Sequence, residues 1–127
     1  MRRSDQRRAA VVALYQREVT GRPLAELIDR TASAFTRELI EGVDQNIIEL
    51  DELIRRFSQG WTLERIAPLE RSILRVALYE LLHRIDVPDE VAIDEAVESA
   101  KELCGADAPG FVNGILGAVH RERAATG

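Results

Sequence analysis

The sequence predicts an all-α protein of about six or seven helices. Three observations carry this. Apolar residues recur at helical spacings of three and four through most of the chain, and no stretch alternates as a half-buried strand does. The composition is rich in Ala, Leu, Ile, Glu and Arg and poor in aromatics, which favours helix over sheet. Punctuation by Gly and Pro falls between the periodic segments: Gly21 and Pro23, Gly60, Pro88, and Gly105 with Pro109.

Helix by helix, the first segment runs from the Arg2–Arg3 pair to Val19. Ser4 or Asp5 is the expected cap, the expected inner face holds Ala9, Val12 and Ala13, joined by Leu14 or Gln16, and Gly21 is the expected left-handed terminator. A short helix follows over 23–30 with Leu24, Leu27 and Ile28 inward. A longer one is expected from about Ser33 to Phe57. Its seam of Ile40, Val43, Ile47, Leu50, Ile54 and Phe57 steps by three and four. The favoured partner of that seam lies within the chain, and a homodimer through it is the alternative. Gly42, costly inside a helix by about 1 kcal/mol, suggests close approach by a neighbour.

Ser58 to Trp61 break the pattern, and Trp61, the only tryptophan, is expected as a core anchor rather than a platform for a nucleobase. The stretch from Pro68 to Arg84 is the axis of the fold. Ile73, Leu74, Val76, Ala77, Leu78, Leu81 and Leu82 cover more than one face, so other helices must pack on several sides. Pro68 suits a first turn, and Pro88 stops continuation. Another helix, opening at Ile93 or Asp94 and ending at Leu103, turns Ala96, Val97 and Ala100 inward. The last begins near Pro109 or Phe111, buries Val112, Ile115, Leu116 and Val119, and frays from Arg121.

No apolar run approaches the roughly 18 residues needed to cross a bilayer, and no apolar signal core follows the basic start, so no membrane contact and a cytoplasmic location are expected. Cys104 is the only cysteine, which excludes an internal disulfide and a Cys-based zinc cage and fits a small buried hydrophobe. No Gly-rich phosphate loop, His-Glu-x-x-His motif or serine elbow is present, and the acidic Glu95, Glu98 and Glu102 read as a solvated helix stripe. Neither an enzyme nor a cofactor is expected.

Charge is the informative feature. Residues 1–17 hold five arginines against Asp5, a local +4 in a chain whose net charge is −5. On composition alone this fits a solvated terminus as well as it fits an arm for phosphate, to which arginine's planar donor fork is suited.

Four linked blocks settle a resemblance: 73–82 (ILRVALYELL), 86–88 (DVP), 91–101 (VAIDEAVESAK) and 111–116 (FVNGIL). With residues 60–65 and the arginine-rich start, they resemble the transcription antitermination factor NusB family over nearly the whole chain. The resemblance implies two small helical bundles stacked on each other in one RNA-binding domain, about 1–60 and 61–127. It implies binding of boxA-type single-stranded RNA of ribosomal RNA transcripts, a heterodimer with the ribosomal protein NusE, and a place in the RNA polymerase antitermination complex. Carried over by position, Arg2, Arg3, Arg7 and Arg8 fall in the RNA-binding arm, with Tyr15, Gln16, Lys101, Phe111, Asn113 and Gly117 on the RNA path and Glu80 at the NusE contact. Gly117 stands where relatives often carry Asp. The missing carboxylate predicts tighter or less selective RNA binding, while Ser4 and Asp5 dilute the arginine run. Four arm arginines predict a salt slope of roughly −3 at about −0.7 per phosphate. The competing reading is a helical interaction module with no RNA role.

Overall fold

The computed structural model describes residues 1–126. Among them are seven α-helices: α1 (Arg3–Thr20), α2 (Leu24–Leu27), α3 (Ala34–Gln45), α4 (Ile47–Phe57), α5 (Pro68–His83), α6 (Asp89–Leu103) and α7 (Ala108–Thr126), with one 3-10 turn over Leu63–Arg65 before α5. No described residue lies in a strand.

α5 is the axis, as its apolar density predicts. Every residue from Ser72 to Leu81 is buried, and the helix packs against α1, α3, α4, α6 and α7. Pro68 stands in its first turn. Three polar side chains inside this run find charged partners, which burial demands. Arg75 grips Asp51 of α4 at 2.7 and 3.0 Å, Tyr79 donates to Glu38 of α3, and Glu80 accepts from Arg7 of α1. Gly42 of α3 makes room for α5: a Cβ there would stand 2.2 Å from the Tyr79 ring.

The expected long helix is two. The seam holds, with Ile40, Val43, Leu50 and Ile54 all buried within the chain, but the ladder breaks at Asn46. There φ is −113° and ψ 20°, and the Gly42 carbonyl accepts from both the Asn46 backbone N–H, at 3.1 Å, and the Asn46 side-chain amide, at 2.7 Å.

Other expectations are corrected. α1 starts at Arg3, and neither Ser4 nor Asp5 caps it; the Ser4 hydroxyl donates to Glu95 of α6. Its inner face is Arg7, Ala10, Val11 and Leu14 together with Ala13, because Arg7 is drawn inward, so Ala9, Val12 and Gln16 face out. Gly21 does end α1 in the left-handed region, φ 73°. α2 is a single turn rather than a helix over 23–30, and Leu24 and Ile28 pack half-buried against the core. α6 opens earlier than expected, at Asp89 directly behind Pro88. α7 does not fray at Arg121: Arg123 donates to the Leu81 carbonyl at 2.7 Å, and Glu122 pairs with Arg56. Trp61 is not a core anchor, being 53% exposed. Ser58 takes the buried position and donates to the Trp61 carbonyl.

Candidate nucleic-acid interface

The N-terminal arginines are not a loose arm. They lie on the first turns of α1, and α1 runs in parallel beside α6: Ser4 meets Glu95, and Arg8 meets Glu102 at 2.9 Å. The stripe Glu95–Glu98–Glu102, read as solvated, is therefore in part the seat of the arm. That pairing spans some ninety residues of sequence, and local spacing gives no sign of it.

The four arm arginines have four environments. Arg2 is exposed, 3.7 Å from Asp5. Arg3 is exposed, and its guanidinium lies over the Phe35 ring, 3.8 Å from the centroid, a cation–π contact. Arg8 is about one-fifth exposed and is shared between Asp5 and Glu102. Arg7 is buried, and its guanidinium forms a two-pronged pair with Glu80 at 2.7 and 2.9 Å.

Arg7 and Glu80 are thus engaged with each other: Arg7 is buried, and Glu80 has a relative exposure of 1%. Separating such a pair costs about 3–5 kcal/mol, whereas an exposed pair such as Arg8–Glu102 contributes at most about 1 kcal/mol. A phosphate can therefore compete for Arg8 but not for Arg7.

The remaining candidates lie at the surface. Tyr15 is half-buried, nearly two turns beyond Arg8 on α1. Gln16 is exposed and lines an apolar groove between α1 and the segment joining α2 to α3. Lys101 is exposed, with Glu98 3.7 Å away. On α7, Asn113 is exposed, and Phe111 and Gly117 are half-buried. Phe111 meets the edge of Trp61, ring centroids 6.3 Å apart at 67°, beside a hollow of about 300 Å³ that also holds Arg65, Glu70 and Asp107. Burial raises the pKa of Glu70. It also raises that of the Cys104 thiol, where the Glu70 charge adds to the effect.

Sequence reasoning gave Glu102 and Trp61 no part in the site and passed over Arg121. Arg121 lies one turn beyond Gly117 on α7, and its guanidinium lies 3.2 Å from where a Cβ on Gly117 would stand. The exposure of Trp61 had one available sign, the Gln59–Gly60 pair before it. Both residues adopt the left-handed region, φ 52° and 93°, and turn the chain outward.

The sequence profile of the NusB family matches residues 4–121. The transcription antitermination protein NusB of Frankia casuarinae is 56% identical over 88 residues, 69% of this chain, and the match spans 65% of that protein's length. The structure of T. maritima NusB superposes with a TM-score of 0.88 at 36% identity, covering 96% of this chain and 92% of that one. A structure of the antitermination factors NusB and NusE in complex with dsRNA shares the fold: TM-score 0.84 at 23% identity, covering 94% and 96% of the two chains.

Proposed function

Because the chain belongs to the NusB family, we propose that it is a non-catalytic transcription antitermination factor acting in the cytoplasm. It binds boxA-type single-stranded RNA of ribosomal RNA transcripts together with NusE, and the pair acts on read-through by RNA polymerase. The NusB–NusE–dsRNA complex of the shared fold supports RNA and NusE as partners.

The observation that carries the reading is the Arg8–Glu102 contact. It seats the basic turn of α1 next to Lys101, just ahead of the connection that leads to Phe111 and Asn113 on α7. A cationic stretch that continues into half-buried aromatic rings and exposed amide groups suits single-stranded RNA. Phosphates are neutralised without regard to sequence, and unpaired bases are read by stacking and by hydrogen bonds to their edges.

Arg2, Arg3 and Arg8 are the phosphate contacts of the arm. Tyr15 and Phe111 supply stacking surface, and Gln16 and Asn113 supply base-edge bonds. Lys101 adds a further charge beside them, and Gly117 leaves α7 open to the strand. NusE adds surface to a strand already held, so the pair binds more tightly than either protein alone.

The test is binding of a boxA-type RNA and a scrambled RNA of equal length, with and without NusE. Preference for boxA that grows with NusE supports the reading. Equal binding of the two RNAs, or none with NusE present, leaves a helical interaction module.

A further inference from the structure

Trp61 is the least expected surface residue of the fold. A large apolar side chain left half in water costs hydrophobic stabilisation, and the chain adopts two consecutive left-handed residues, Gln59 and Gly60, to put it there. A glutamine in that region is itself unfavourable, since only Gly, and to a lesser degree Asn and Asp, adopts it readily.

Trp61 and Phe111 together form a partition between two hollows. One is the hollow already described, with Arg65, Glu70 and Asp107 in its lining. The other, of about 230 Å³, has no charged residue in its lining. Its walls are Trp61, Phe111 and Phe57, Gln59 stands at its rim, and the α7 backbone at Gly110 and Gly114 forms its floor. A Cβ on either glycine would meet nothing within 4 Å, so the floor is open backbone.

The chemistry of this second hollow is selective. It offers two aromatic rings set edge to face, which leaves a ring face free, and a primary amide that both donates and accepts. It offers no charge to attract an ionic side chain. A flat, neutral, heteroaromatic ring with hydrogen-bonding edges matches that set, and in a single RNA strand that ring is an unpaired nucleobase. Arg121 lies two turns farther along α7 from Gly114, at phosphate reach for a strand that follows the helix.

We infer that the Trp61–Phe111 cleft receives one unpaired base of the bound RNA, with Trp61 as its stacking platform and Gln59 at its edge. The inference rests on the RNA-binding reading and extends the path beyond Phe111, by a residue that the arm and the family resemblance leave out.

Trp61 is the only tryptophan of the chain, so all tryptophan emission comes from this partition between the two hollows. Titration of the protein with the boxA-type RNA, with affinity followed separately by anisotropy of labelled RNA, is expected to quench that emission in step with binding. Trp61→Leu is expected to weaken binding by at least about fivefold, and Trp61→Phe to restore most of it, which is the scale of one base stacked on an aromatic ring. The salt slope stays at its wild-type value in both variants, since no charge changes. Helical circular dichroism establishes that both fold. RNA binding with unchanged emission and a wild-type affinity for Trp61→Leu overturns the inference and leaves the RNA-binding reading standing. Failure of the wild type to bind RNA overturns both.

Discussion

Arg7 and Glu80 form a buried, two-pronged ion pair that locks the first helix onto the central one, at 2.7 and 2.9 Å between residues 73 positions apart. The pair stands where the family resemblance places an RNA contact and a protein contact, and in the free chain each residue is held by the other. Glu80→Gln leaves the buried Arg7 charge with only the Glu95 carboxylate, 4.0 Å away. It is expected to lower the unfolding free energy by about 3 kcal/mol in chemical denaturation. Replacing both, Arg7→Met with Glu80→Leu, is expected to recover most of that loss, because the cost lies in the orphaned charge rather than in the missing pair.

The Arg8–Glu102 contact is of the opposite kind. It is exposed on the glutamate side, weak, and in competition with phosphate. Glu102→Gln leaves Arg8 with Asp5 as its one carboxylate partner and removes a repelling charge. RNA affinity at low salt is expected to rise by up to about fivefold, the equivalent of about 1 kcal/mol, with little change in stability. Unchanged affinity by fluorescence anisotropy removes Arg8 from the RNA contact.

Gly117 bears on the same surface from α7. A carboxylate introduced there meets the Arg121 guanidinium, whose end lies 3.2 Å from the position of the new Cβ. Gly117→Asp is therefore expected to engage Arg121 and to repel phosphate at once, weakening RNA binding by about threefold to tenfold at low salt. An affinity equal to the wild type counts against both Gly117 and Arg121 as neighbours of the strand.

Gly42→Ala tests the packing of α3 on α5. The new methyl would stand 2.2 Å from the Tyr79 ring, which is stacked on His83 and tied by its hydroxyl to Glu38. The ring has little freedom to yield, so a loss of about 1–3 kcal/mol is expected despite alanine's better helix propensity. A stabilised variant contradicts this account of the close approach.

What the sequence discloses follows from the range of the interactions that decide each feature. The axis helix is legible because its apolar density and Pro68 act locally, and Gly21 announces its turn by its own backbone freedom. The division at Asn46 is not legible, since the three-and-four seam passes through it unbroken while the backbone of that one residue departs from helical angles. Arg7 looks like its arginine neighbours until Glu80, far along the chain, takes it inward. Glu102 looks solvated until α1 lies beside it. Trp61 looks like core because a tryptophan usually is, and here the small Ser58 fills the buried position. The candidate site was thus readable as residue types, while the sorting of those residues into free and occupied required tertiary structure.

The salt dependence of RNA binding tests the central claim most directly, because it counts the arginines that meet phosphate. With Arg7 occupied by Glu80, three arm arginines remain, and the slope of log K against log salt for a boxA-type RNA is expected to be about −2 from the arm, at about −0.7 per phosphate. Replacing Arg2 and Arg3 by Gln is expected to reduce the magnitude of the slope by about 1.4. A wild-type slope near zero, or one that the double substitution leaves unchanged, contradicts the account of the basic turn of α1 as the phosphate-binding element.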